Sequence, residues 1–245
     1  MAVSIDICEL YPVRDTSIWK HPGHRRWMKW SQDLDDHQIL GVMSDEGRGL
    51  LRGCYWGEKT RHGVLDIDFG SKYHHPQALK EITDDFAAVG IALLPYQSSE
   101  SGGWHLYFYF DSAVLSNEVE TTIKNYLRHR RYEIKSGTLE VFPSGNALRL
   151  PLQKGFGWLT PDGKLKTKRE DIRQEEAIAN FLRDLEGSRS NWEEAKTLIG
   201  LEMYAAGVAG AGEDQGVEEW LSEEGFTGLF RPGLDWEKYQ RGKQY

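Results

Sequence analysis

Asp66 and Asp68 stand one residue apart in the segment VLDIDF, residues 64–69. Carboxylates at i and i+2 of a strand leave the same face, with Cα atoms about 6.5–7 Å apart. That spacing suits two acids to share one or two divalent cations. Mg2+ and ions like it take few protein carboxylates and complete their shells with substrate phosphates. Two-metal sites stabilise the attacking and the leaving oxygen of a phosphoryl transfer together. A D-x-D pair is also what two plain surface acids on a solvent-facing strand look like. The apolar residues around this pair point instead to a central strand.

Three further segments carry residues of matching chemistry. In Ser101-Gly102-Gly103-Trp104-His105 a glycine-rich turn feeds a strand, and His105 falls on the face opposite Trp104, Leu106, Phe108 and Phe110. Turn amides cradle phosphate oxygens, and a histidine there donates to a phosphate or stabilises charge on it; the alternative is a half-buried strand histidine bonded to a neighbour. Glu140 alternates with Leu139 and Val141, and completes a carboxylate triad if its strand lies beside that of Asp66; otherwise it is an exposed strand glutamate. Arg149, between Leu148 and Leu150, needs an anion, which a triphosphate or a structural carboxylate would supply.

The elements that must position these residues follow from pattern. Residues 64–69 alternate as a strand, with Leu65, Ile67 and Phe69 opposite the two aspartates. Pro76 opens a helix with Leu79, Ile82, Phe86 and Val89 on one stripe, and Gly90 ends it. Residues 91–96 read as a short strand, 98–103 as a turn and 104–110 (WHLYFYF) as an aromatic strand. Ser116 caps a second helix whose buried stripe is Val119, Ile123, Tyr126 and Leu127. Residues 132–135 and 138–142 read as strands joined by Ser136-Gly137, and 147–150 as one more. Beyond a turn at 160–163 the pattern is helical from Asp171, with stripes at Ala177, Ile178, Phe181, Leu182 and Leu185, then at Trp192, Ala195, Leu198 and Ile199. A break at 207–212, a short helix at 217–221 and an aromatic tail follow.

Strand, helix, strand, strand, helix, strand is the split βαβ order of RRM-like sheets and of polymerase palm modules. The set LDIDFG, SGGWH, then LEVFP followed by GNALRLPL resembles the three motifs of the archaeo-eukaryotic primase superfamily, over about residues 50–160. It is most similar to the primase-polymerase branch found in plasmids, phages and other mobile elements. The resemblance implies that Asp66, Asp68 and Glu140 hold two Mg2+ or Mn2+ ions and carry the catalysis. His105, Arg149 and also Ser101 and Lys72 would bind the incoming nucleotide. Two departures stand out: Gly103 occupies the place of the usual serine two before His105, and Glu140 replaces the commoner aspartate. The implied activity is that of a DNA primase or polymerase, making or extending primers in DNA replication. Its partners would be NTP or dNTP, a single-stranded DNA template with primer, and a helicase domain or another replication protein.

The fold expected is α+β: an RRM-like palm-type sheet (about 61–155) with an N-terminal α/β module, forming a catalytic domain over 1–169. A helical C-terminal subdomain over 170–245 follows. It would hold the first nucleotide or dock a partner. The net charge of −8 does not count against a nucleic-acid partner. Residues 1–169 carry 22 Lys and Arg against 21 Asp and Glu, and residues 170–245 carry 8 against 17, so the acidity sits in the last quarter. Two cysteines, Cys8 and Cys54, are too few for a zinc ribbon, so no zinc is expected. With no secretory leader pattern and no apolar run near 18 residues, a cytoplasmic protein without membrane contact is expected. Two other readings fit parts of the pattern. An RRM-like nucleic-acid binder would use Tyr107 and Tyr109 as an open stacking face, and a palm-type nucleotide cyclase would use the paired acids. A replication-initiator nickase needs a His-x-His pair that His105-Leu106-Tyr107 lacks; His21, His24, His74 and His75 read as solvated loop histidines.

Overall fold

Strand β4 (Lys59–Ile67) is the centre from which the site is built. The computed structural model describes residues 6–21, 24, 26–44 and 49–210; the expected break, short helix and tail beyond residue 210 lie outside them. Before β4 come a 3-10 turn (Ile7–Leu10), β1 (Ser17–Lys20), β2 (Met28–Trp30), α1 (Asp36–Met43) and β3 (Leu51–Cys54). After it follow α2 (Pro76–Ala88), β5 (Leu94–Gln97), β6 (Trp104–Leu115), α3 (Ser116–His129), β7 (Leu139–Phe142) and β8 (Leu148–Arg149). The rest is β9 (Gly157–Leu159), β10 (Leu165–Lys168), α4 (Gln174–Gly187), β11 (Arg189–Ser190) and α5 (Trp192–Gly210). The fold is mixed α+β. The chain divides into two units, Met1–Lys196 and Thr197–Tyr245, and the described part of the second is helical. No helix of the described residues is long and apolar enough to cross a membrane.

The larger sheet runs β10-β9-β5-β6-β4-β7, antiparallel throughout, and β11 adds to β6 in parallel. Its two faces are both covered. On one side Leu79, Ile82 and Phe86 of α2 and Val119, Ile123, Tyr126 and Leu127 of α3 are buried; Phe86 meets Phe108 at 6.3 Å between ring centroids. On the other, Phe181 of α4 packs on Tyr96 and Tyr107 at 5.5 and 5.3 Å. That core also takes in Tyr11, Ile39, Val42 and Tyr109, so α1 and α4 share it with the sheet. Tyr107 and Tyr109 are each 1% exposed. The open aromatic platform expected of an RRM-like binder is therefore absent at these two tyrosines.

The second sheet, β2-β1-β3-β8, is antiparallel and joins β8, which follows β7 in the chain, to the three strands that precede β4. β8 pairs with β3, Gly53 opposite Arg149. Buried Gln153 fixes that junction: its side chain accepts from Arg52 N and donates to Arg52 O, both at 2.7 Å across 101 residues of sequence. Arg149 thus stands in this sheet and not, as the sequence pattern suggested, in the sheet of Asp66.

Other differences are local. The strand of Asp66 ends at Ile67, so Asp68 lies just past it and Phe69 turns outward, instead of packing beside Leu65 and Ile67. Residues 132–135 are no strand: a turn closed by Thr138 N donating to Lys135 O leaves only the bridge Lys135–Leu139. Helix α3 starts one residue earlier than a Ser116 cap would have it, with Leu115 at the N-cap and Ser116 inside.

Close strand approach makes Gly63 of β4 irreplaceable. A Cβ there would stand 2.1 Å from Phe108 Cζ and 2.7 Å from Phe142 O. Overpacking of this kind costs about 1–3 kcal/mol, so Gly63→Ala is expected to lower the urea midpoint by a corresponding amount. An unchanged midpoint would show that the strands can part at no cost.

Candidate functional site

The register of the larger sheet gathers the acids. Asp66 is opposite Glu140 on β7 and opposite His105 on β6, and His105 is opposite Tyr96 on β5. Residues directly opposite across antiparallel strands leave the same face, with Cβ atoms about 4.5–5.5 Å apart. Glu140, Asp66 and His105 are therefore a polar row across three strands. The next row on that face is Phe142, Val64 and Tyr107, which is core. The site sits where the hydrophobic cover of the sheet stops, and the Asp66 side chain keeps 21% exposure while His105 keeps 5%.

Charge repulsion marks the spot. Burial, then the nearby Asp68 and Glu140, push the Asp66 carboxyl up to about 8. Asp66 Oδ1 lies 3.5 Å from His105 Nε2. Burial and the Arg149 guanidinium hold His105 down at about 3, so its ring is neutral at pH 7 and offers an N–H, not a charge. Arg149 itself is lowered to about 10 by burial and stays cationic. One Nη of Arg149 donates to Lys154 O, and its Nε is buried without a hydrogen-bond partner. Arg149, from the second sheet, thus comes near enough to His105 of the first to act on its charge, while Glu100 and Glu170 are the acids nearest it in effect.

Beside Arg149 opens a cleft of about 760 Å³, lined also by Lys20, His21, His24, Ser99, Ser101 and Lys154. It brings together six basic or imidazole groups, Arg169 among them, around the glycine-rich turn of residues 98–103. That turn is tied by Ser98 N donating to Gly103 O and Gly102 N to Ser99 O. Lys154 pairs with Glu100 at 3.0 Å, and Gly155, at φ +83°, lets the following loop press so close that a Cβ would stand 2.2 Å from Glu100 N. Arg169, also at the wall, is spent on structure: its guanidinium donates to Met43 O and Ile172 O.

The donor set can be tested against the implied metal. Among the described residues no group of three or more His, Cys, Asp or Glu is gathered closely enough to hold a metal ion. Asp66, Asp68 and Glu140 nevertheless lie near enough that the other two raise the pKa of the first. Open carboxylates of this kind fit a hard cation that takes its remaining ligands from phosphate and water. They do not fit a closed structural ion. Both cysteines are free and buried.

The expected nucleotide ligands divide. Arg149 and Ser101 line the cleft, and the Ser101 hydroxyl shares a 2.7 Å hydrogen bond with that of Ser99. His105 and Lys72 do not line it; the Lys72 ammonium pairs with Glu133 at 2.7 Å on an exposed surface. Lys20, His21, His24 and Lys154 line the cleft unanticipated. The two histidines, expected as solvated loop residues, contact each other at 5.7 Å there. Only their basic or aromatic type was visible beforehand; the convergence depends on the second sheet.

No family model matches the chain, and no curated protein matches it. Solved structures do. The polymerase domain of Mycobacterium tuberculosis Ligase D in complex with DNA is similar over 73% of this chain and 84% of that one, at 14% identity and a TM-score of 0.39. The AEP domain of the cyanophage S-2L primase-polymerase is similar over 67% of this chain and 88% of that one, at 10% identity and a TM-score of 0.36. The latter is a protein of the kind the sequence motifs resemble. At such TM-scores the likeness has no weight of its own, and the chemistry rests on the residues.

Proposed function

We propose that this protein is a template-directed nucleotidyltransferase of the primase-polymerase type. The in-register row Glu140–Asp66–His105, with Arg149 close enough to His105 to lower its pKa, carries this reading. The order β7-β4-β6-β5, with α2 and α3 as crossovers, supports it as the split βαβ arrangement of RRM-like sheets.

In the reaction, the 3′ oxygen of a primer or first nucleotide forms a bond to the α-phosphorus of an incoming nucleoside triphosphate. The α–β phosphoanhydride bond breaks, pyrophosphate leaves with the electron pair, and the hydroxyl proton is lost. Two Mg2+ or Mn2+ ions held by Asp66, Asp68 and Glu140 would acidify the attacking hydroxyl and neutralise the leaving group. Arg149 offers a cationic fork to the triphosphate. His105, in the row with Asp66, would donate a neutral N–H, and Ser101, on the cleft wall, a hydroxyl. Single-stranded DNA with its primer would run across the site, held by backbone charge and base stacking.

The test is primer extension by the full chain on a primed DNA template, with Mg2+ or Mn2+ and either NTP or dNTP. Product longer than the primer is expected; none under any of these conditions would remove the assignment. Initiation on an unprimed template is scored separately. Arg149→Ala is expected to raise the KM for the nucleotide about ten- to hundredfold, the size of lost charge-assisted hydrogen bonds. An unchanged KM would assign Arg149 to structure alone.

A further inference from the structure

Phe69 is the most exposed large apolar side chain of the described residues, at 67%, and it adjoins Asp68. Its place is fixed by backbone. Ser71 N donates to Asp68 O at 3.0 Å, and Gly70 takes φ +82°, so residues 68–71 form a tight turn with Phe69 at its second position. The ring is propped from behind. It meets the His74 ring edge-on at 5.1 Å. His74 in turn bonds Gly102 O through Nε2 at 2.8 Å and lies 4.1 Å from the Trp104 ring. Gly102 passes beneath, where a Cβ would come 3.2 Å from Phe69 Cδ2.

An aromatic ring propped from behind and largely exposed, between the carboxylates and the turn that lines the cleft, offers a flat apolar face to a planar occupant. Among the described residues its outer face is left uncovered. We infer that Phe69 is a stacking platform for a nucleobase at the reaction centre. This rests on the nucleotidyl-transfer reading above. A base has the π-face that such a ring takes, and its phosphates would lie towards the acids and Arg149. The base belongs either to the incoming nucleotide or to the end of the primer–template.

The experiment compares Phe69→Ala, Phe69→Leu and Phe69→Trp in the full chain. Three quantities are read: KM for the nucleotide, kcat, and binding of a primer–template carrying 2-aminopurine near the primer terminus, whose fluorescence is quenched on stacking. Loss of stacking is expected to weaken one binding step roughly five- to hundredfold in Phe69→Ala. Phe69→Trp should restore it, and Phe69→Leu, which keeps apolar area without a ring, should not. A raised KM with DNA affinity intact assigns the incoming base; weakened DNA binding with lost quenching assigns the primer–template end. Active wild type with Phe69→Ala within twofold of it on all three readouts overturns the inference and leaves the proposed function standing. Rescue by leucine equal to that by tryptophan also overturns it, in favour of a plain apolar contact. Inactive wild type that still quenches through Phe69 removes the polymerase reading and keeps the stacking site. Neither extension nor binding removes both.

Discussion

Replacing Asp66 and Asp68 together by asparagine is expected to lower kcat for primer extension by about a thousandfold or more, because metal stabilisation of the transferring phosphoryl group is worth several kcal/mol. The folded state should survive. Asp68 is exposed beyond the end of β4, and the Asp66 side chain makes no hydrogen bond among the described residues that asparagine would break. Asparagine keeps the shape and removes the charge, so a fold defect does not confuse the result. The measurement is single-turnover extension of a labelled primer with Mg2+ and then Mn2+. Glu140→Gln belongs in the same series: it faces Asp66 directly but also accepts from Ser136 Oγ at 3.3 Å. If it is the third ligand, its loss should approach that of the aspartates. Extension by the double variant at the wild-type rate would place the chemistry elsewhere in the molecule.

The parts of this site that local pattern could reveal are those set by local pattern. The alternation in VLDIDF is enough to put Asp66 opposite Leu65, because side chains of a strand have period two. The same holds for His105 against Leu106, and for Glu140 between Leu139 and Val141. Once three such strands pair in register, the acids meet. Proline at the first turn of α2 and the apolar stripe of α3 were legible for the same reason. What pattern could not give was set at long range. Arg149 reads as a strand arginine wherever its strand pairs, and its partner β3 lies far back in the sequence. The cover of Tyr107 and Tyr109 depends on α1 and α4 closing on the sheet from opposite ends of the chain. Phe69 continues the apolar alternation by type, yet the tight turn ending at Ser71 takes it out of the strand. An exposed aromatic ring where alternation promised a buried one is the local rule failing beside the carboxylates, which is where functional demands override packing.

A second consequence of the charge cluster is a stability gain on losing a carboxylate. Asp66→Asn is expected to stabilise the metal-free protein at pH 8 and to make no difference near pH 4. The sign follows from proton binding. The Asp66 pKa is raised from 3.8 to about 8 in the folded protein, first by burial and then by Asp68 and Glu140. Below pH 4 both states are protonated and the group is neutral to stability. Between about 4 and 8 the unfolded chain gives up its proton while the folded one retains it. Stability then falls as pH rises. Above about 8 the folded carboxylate is ionised too and the penalty is complete. At about 1.4 kcal/mol per pKa unit, the penalty removed by asparagine is on the order of 5 kcal/mol. Urea unfolding of both proteins at pH 4 and pH 8, in chelator, reads this together with the relief felt by Asp68 and Glu140, since titrations that do not interact with Asp66 cancel in the difference. Saturating Mg2+ or Mn2+ should then raise the wild-type midpoint at pH 8 far more than that of the variant, because an ion that binds only the folded state stabilises it by mass action. A variant that is inactive yet more stable without metal is what a carboxylate built to hold a cation should yield. If Asp66→Asn is no more stable than wild type at pH 8, or its gain is the same at pH 4, the acids do not crowd one another as the row requires.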